Sequence, residues 1–336
     1  MIQLTYIKNF KLNSKISLDY RLSYEIHGEE LGTAPVVLVI HALTGNSKVT
    51  GVNGWWSSLV GENKVIDTNR YTILAFNIPG NGHSPEDSKI NTHYQLFTAR
   101  DVARLFALGL DSLGISSLYA IMGPSLGGGL VWELAALRPN LGEHVIPIAS
   151  SWYSCQWLRA NCHIQACLLE HSSKPLEDAR KHAMTLYRTP ESLEQKFNEA
   201  MANSPSLDVE TWLDYHGTQL SSRFKLSAYK MMNQLLKTID ITRNGASLLE
   251  VAKSIQGHIH LVTVDSDLLF KSDQCWDTYV KLKSVKENVS IYEINSIHGH
   301  DAFLIEYSQL SKFLKPIFNP LITQNENHQL NHIWHR

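Results

Sequence analysis

The sequence predicts an α/β fold: a mostly parallel central sheet with helices on both faces, interrupted by an all-helical insertion. Three observations lead there. Short apolar runs rich in β-branched residues recur at Val36-Val-Leu-Val-Ile40, Tyr71-Thr-Ile-Leu-Ala-Phe76, Leu118-Tyr-Ala-Ile-Met122 and His144-Val-Ile-Pro-Ile-Ala149. Continuous runs of this kind suit strands covered on both sides. Helical patterns over 98–113 and after Gly127 alternate with them, as in a parallel sheet built from crossover units. From 151 to 247 no strand pattern occurs.

Each element has its own signal. Leu22-Ser-Tyr-Glu-Ile26 alternates apolar and polar residues, as a half-buried strand does. The strands at 36–40 and 71–76 each run into a polar or glycine-containing loop, His41-Ala-Leu-Thr-Gly45 and Asn77-Ile-Pro-Gly-Asn-Gly82. The helix over 98–113 carries Val102, Leu105, Phe106, Leu108 and Leu110. Within the insertion the patterns predict helices at 175–186, 190–201 and 226–236, and Glu191 just past Pro190 suits a first turn. The core resumes with a strand at 258–264, a helix near 274–283 and a strand at 289–294. The predicted division is therefore a first core segment at 1–150, a helical cap at 151–247, a second core segment at 248–320 and a frayed tail at 321–336.

Composition narrows the function. A chain of 336 residues with 43% apolar content can bury a large core. Net charge is −2, with no polybasic stretch, which argues against nucleic acid or an anionic membrane as partner. No apolar run approaches the ~20 residues that span a bilayer, and the N-terminus lacks a signal-peptide pattern. The four cysteines form no C-x-x-C, which points to a reducing, cytoplasmic setting. Cys155, Cys162 and Cys167 cluster, but Cys162-His163 has no zinc-site spacing, so buried helix cysteines and no metal are expected. Gly80-Asn-Gly-His lacks the lysine of a phosphate loop.

The chemistry concentrates at Gly123-Pro-Ser-Leu-Gly127, between a strand and a helix. Strand, Gly-x-Ser-x-Gly and helix describe a nucleophile elbow, a tight turn that lifts the serine hydroxyl out of the sheet. Ser125 then needs a base, and the base needs an orienting carboxylate. In α/β-hydrolases the order is serine, acid, histidine, with the partners in loops after later strands. Asp267 follows the 258–264 strand and has Asp265 as its rival. His300 follows the 289–294 strand and has His298 as its rival. Oxyanion donors are expected from the backbone N–H of Leu126, at the helix start, and of Leu43, in the loop after the first buried strand. His41 is read as shaping that loop.

Taken together, the segments resemble the MetX-type homoserine O-acyltransferases of the α/β-hydrolase superfamily over nearly the whole length. The residues carrying the resemblance are His41-Ala-Leu-Thr-Gly45, Gly54-Trp-Trp56, Ile66-Asp-Thr-Asn-Arg-Tyr71, Phe97-Thr-Ala-Arg-Asp101, Asp178-Ala-Arg-Lys-His-Ala-Met184, Tyr187-Arg188, Leu213-Asp-Tyr-His-Gly217, Arg223-Phe224 and Gly299-His-Asp-Ala-Phe303. The resemblance implies a ping-pong transfer from acetyl-CoA, a substrate rather than a resident cofactor, through Ser125 to the hydroxyl of L-homoserine, for methionine biosynthesis. It implies that Arg180 pairs with the substrate carboxylate and Asp301 with its ammonium. Relatives that use succinyl-CoA tend to carry arginine where this chain has Leu269, which implies an acetyl donor. Relatives pair through their lids, which implies a homodimer. An esterase and a serine-directed acyltransferase are the alternatives within the fold, and a non-catalytic binding protein is the alternative outside enzymes. Pro124 before the serine, Gly129 in place of methionine, and the short loop at 77–82 depart from the family pattern.

Overall fold

The computed structural model describes residues 1–203 and 208–319, so the predicted tail at 321–336 lies outside the described residues. In chain order the elements are β1 (Gln3–Lys11), β2 (Ser17–Gly28), β3 (Val36–Val39), β4 (Val60–Gly61), β5 (Ile66–Asp67), β6 (Thr72–Phe76), α1 (Asp87–Asn91), α2 (Ala99–Ser112), β7 (Leu118–Pro124), α3 (Leu126–Leu137) and β8 (Gly142–Ile148). The insertion supplies α4 (Gln156–His171), α5 (Pro175–Tyr187), α6 (Pro190–Asn203), α7 (Val209–Arg223) and α8 (Leu226–Lys237). The chain then returns through α9 (Leu248–Ser254), β9 (His258–Val264), α10 (Ser272–Lys283), β10 (Val289–Ile294) and α11 (Tyr307–Phe318).

Eight strands form one sheet in the order β1-β2-β6-β3-β7-β8-β9-β10. β1 and β2 pair antiparallel, β2 joins β6 antiparallel, and from β6 to β10 every pairing is parallel. Successive side chains of β3 explain the two-sided core. Val37 and Val39 enter a cluster with Trp56 and α11, whereas Leu38 and Ile40 enter another with α2, α3 and the cap. The parallel strands put their C-terminal ends on one edge, where an open α/β sheet binds ligands.

α2 begins at a capping box, with Thr98 accepting from the Asp101 N–H and Asp101 accepting from the Thr98 N–H. The insertion enters and leaves through a narrow neck. Ser154 N–H donates to the Ile239 carbonyl at 2.9 Å and Ile241 N–H to the Trp152 carbonyl at 3.2 Å. Glu133 of α3, fully buried, locks this neck. It takes Arg100 Nε at 2.6 Å, and on its other oxygen both Arg243 Nη2 and the Asp240 N–H at 3.0 Å. Burial raises the Glu133 pKa, opposed by the charges of Arg243 and Arg100. The expectation of three buried helix cysteines needs correction. Cys162 is buried on α4 and Cys155 just before it, but Cys167 is exposed, because it lies off the inward face of that helix.

Candidate active site

Ser125 stands between β7 and α3 with φ 58° and ψ −123°, a conformation that costs a non-glycine residue about 1–3 kcal/mol. Close packing fixes its neighbours as glycine. A Cβ on Gly123 would lie 2.5 Å from the Ile40 carbonyl oxygen, and one on Gly127 only 2.2 Å from the same atom. The end of β3 therefore presses against the elbow and brings the 41–45 loop beside it. Gly129 has a different partner: its Cβ would fall 2.2 Å from Ile239 Cδ1, so the neck of the cap fills the space a side chain would need. Pro124 has no N–H to return to the Ile40 carbonyl, whose own N–H donates to the Met122 carbonyl at 2.8 Å. The ladder on the other side continues past it, since Ser125 N–H donates to the Ile148 carbonyl of β8 at 2.9 Å.

The hydroxyl meets a buried chain of hydrogen bonds. His300 Nε2 lies 2.8 Å from Ser125 Oγ, and His300 Nδ1 lies 2.7 Å from Asp267 Oδ2. Asp267 Oδ1 accepts the N–H groups of Leu269 at 2.7 Å and Phe270 at 2.8 Å. Both Asp267 and His300 are almost fully buried. Burial pulls the His300 pKa down, but the charge and hydrogen bond of Asp267, helped by Asp301, outweigh it and leave the value raised. The rival residues face elsewhere. Asp265 accepts the Ser296 N–H, tying the ends of β9 and β10 together. His298 Nδ1 accepts from Arg188 Nη2 at 3.1 Å and sits 2.9 Å from Ser192 Oγ, under the lid.

Leu126 is the first residue of α3, so its N–H is one of the four a helix leaves without an intrahelical partner. The Leu43 loop is braced from below by His41. Its Nδ1 is 2.7 Å from the Ala42 carbonyl, an acceptor, so Nδ1 carries the proton. Its Nε2 accepts the Ile78 N–H at 2.9 Å and faces Asn81 Nδ2 at 3.2 Å. A second proton would meet only donors, and burial lowers the His41 pKa to about 4.

The lid adds charge. The Arg180 guanidinium lies 5.5 Å from the Tyr187 ring, which in turn lies 5.5 Å from the His300 ring. Asp301 follows His300; burial raises its pKa, opposed by the charges of Arg180, His300 and Arg188. Among the described residues neither Arg180 nor Asp301 has an ion-pair partner within 4.0 Å. Leu269 is buried in the cap-side core. Two features carry no local sequence signal, the Glu133 lock and the Arg188–His298 contact, because their partners lie 33 to 110 positions apart. No group of three or more potential metal ligands occurs among the described residues.

With the geometry in place, comparison with known proteins becomes informative. Residues 35–157 match the model of the alpha/beta hydrolase fold. A homoserine O-acetyltransferase of Methanosalsum zhilinae is 30% identical, with the alignment covering 93% of this chain and 71% of that protein. The chain belongs to the homoserine O-acetyltransferase family. Its backbone matches the crystal structure of a homoserine O-acetyltransferase from Bacillus anthracis with TM-score 0.83 at 20% identity, covering 95% of this chain and 97% of that one. Esterase E22 matches equally, TM-score 0.83 at 18% identity over 95% and 100% of the two chains. The α/β-hydrolase fold is thus common to transferases and hydrolases, and the family membership rests on the sequence.

Proposed function

We propose that the protein transfers the acetyl group of acetyl-CoA to the hydroxyl of L-homoserine through an acetyl-Ser125 intermediate. The observation that carries this reading is the unbroken Asp267–His300–Ser125 chain lying beside two unpaired, opposite charges, Arg180 and Asp301. Ser125 Oγ attacks the thioester carbonyl while His300 Nε2 takes its proton, and the Leu43 and Leu126 N–H groups receive the negative charge on oxygen. His300 returns that proton to the departing sulfur, so CoA leaves as the thiol. The homoserine hydroxyl then gives its proton to His300 and attacks the acetyl-serine, and Ser125 recovers the proton as the ester leaves. Asp267 holds the imidazole with its proton on Nδ1.

Recognition of the acceptor follows from the charges. The planar guanidinium of Arg180 binds the α-carboxylate and Asp301 the ammonium, and a free amino acid is the ligand that needs both. Leu269 offers no cation to a succinyl carboxylate, which favours acetyl. The setting is the cytoplasm, the product feeds methionine biosynthesis, and two copies pair through the helical cap, as the family resemblance implies. The test is an acceptor panel with acetyl-CoA as donor. The reading expects CoA release that depends on L-homoserine and yields O-acetylhomoserine. Release that is equally fast with water alone would make the protein a hydrolase.

A further inference from the structure

A small cavity under the cap abuts the triad from a side that the proposed mechanism leaves unassigned. Three of its lining residues each adjoin a different catalytic element. Leu43 belongs to the oxyanion loop, Tyr187 packs beside the His300 ring, and the Leu269 N–H is bonded to Asp267. One side of the remaining wall comes from α4, where Leu158, Asn161, Cys162 and Gln165 follow at the i, i+3, i+4, i+7 spacing of a helix, and α5 and α8 close the rest. The Leu158 end is next to the catalytic loop, since the neighbouring Trp157 donates from Nε1 to the Leu268 carbonyl at 2.6 Å. At the other end of the stripe Gln165 Nε2 donates to the Ala179 carbonyl of α5 at 3.0 Å. Apolar Leu43, Leu158 and Leu269 thus line the cavity on the side of the two catalytic loops, and the Gln165 amide lies about two helical turns from Leu158.

Its dimensions are decisive. The free volume is about 20 Å³, room for roughly one water-sized group, since a cavity needs about 10–15 Å³ to hold a water. Gln165 Oε1 is buried at the far end with no partner. A chain longer than a methyl exceeds that room and would press apolar carbon against the unsatisfied amide oxygen, which loses affinity.

We propose that this cavity receives the acyl group carried by Ser125, and that Leu158, Cys162 and the Gln165 amide limit that group to acetyl. The inference rests on the acyl-enzyme reading above and deepens it. Specificity by exclusion of a methylene is worth about 10–200-fold, so it is measurable.

The test uses p-nitrophenyl acetate, propionate and butyrate with no amino-acid acceptor, so that only acylation is read. The wild type should prefer acetate to butyrate by at least about 10-fold. Leu158→Ala, which opens the apolar end, should erase most of that preference. Cys162→Ala removes a single buried sulfur and should raise propionate relative to acetate, which keeps the test alive if Leu158→Ala fails to fold. Ala183→Val, filling the cavity from α5, should depress acetate turnover about 10-fold while thermal melting shows a folded protein. Folded variants with unchanged chain-length ratios would overturn the assignment. So would variants that alter only homoserine saturation, which would give the cavity to the acceptor. A wild type inert to the acetate ester would instead sink the nucleophile reading itself, and the cavity's role with it.

Discussion

Replacing Asp267 with asparagine tests the catalytic chain in a way the geometry makes specific. Asp267 Oδ1 is held by two backbone N–H donors, from Leu269 and Phe270. An asparagine must keep its carbonyl oxygen there, because an NH2 group would face two donors. Its amide nitrogen is then forced into the Oδ2 position, 2.7 Å from His300 Nδ1. That nitrogen donates, so His300 is driven to the tautomer with Nδ1 bare and the proton on Nε2. Nε2 lies 2.8 Å from Ser125 Oγ and can no longer accept its proton. The side chain keeps its shape and its backbone bonds, so folding should be little affected. A wrong tautomer in this arrangement costs about 10⁴ in turnover, equivalent to about 5 kcal/mol of transition-state stabilisation. The assay is stopped-flow acylation by p-nitrophenyl acetate, with thermal melting as the folding control. A folded Asp267→Asn variant retaining a tenth or more of wild-type acylation would refute the tautomer argument.

Further outcomes follow from other parts of the structure. Arg180→Ala should raise the KM for homoserine by about 10-fold or more while leaving acylation by acetyl-CoA unchanged, from the loss of a charge-assisted pair; an unchanged homoserine KM would free Arg180 of its role. Asp301 raises the His300 pKa, so Asp301→Asn should move the acid limb of the p-nitrophenyl acetate pH profile to lower pH; a limb that stays put would mean Asp301 does not face the imidazole. His144 Nδ1 lies 3.0 Å from His260 Nε2, and His258 stacks on His260. Burial lowers the pKa of His144 to about 4 and of His260 to about 3. The unfolded chain binds these protons near pH 6.5 and the folded chain does not, so stability falls as pH drops below about 6.5, by roughly 2–3 kcal/mol for each of the two histidines at pH 4.5. His260→Phe should flatten that slope in thermal melts, and an unaltered slope would remove the cluster as its cause. Gly129→Ala should lower the melting temperature through contact with Ile239, and Ile239→Ala in the same chain should restore part of it; no recovery would locate the strain elsewhere.

The parts of the molecule legible in the sequence are those specified by neighbours along the chain. β9 and β10 fall at the residues their apolar runs predict, and the elbow is legible because Gly123 and Gly127 are demanded by one carbonyl, that of Ile40. β1 was not legible. It is a sheet-edge strand whose alternation is broken by a register shift between Ile7 and Phe10, with Asn9 at φ 49°. α4 and α7 carry no clear period in the sequence: the buried stripe of α4 includes polar Asn161 and Gln165, and that of α7 is only Gly217 and Leu220. Choosing Asp267 over Asp265 and His300 over His298 needs three dimensions, because each pair sits in a single loop and only the direction of the side chain separates them. The tautomer of His41 is likewise set by a loop 37 residues away, through the Ile78 N–H.

The most direct measurement is the mass of the Ser125 peptide after brief mixing with acetyl-CoA alone, followed by a chase with L-homoserine. An acetyl adduct on Ser125 that the amino acid discharges as O-acetylhomoserine is the predicted result. No adduct, or an adduct on another residue, would contradict the account, and an adduct cleared only by water would leave a hydrolase in place of the transferase.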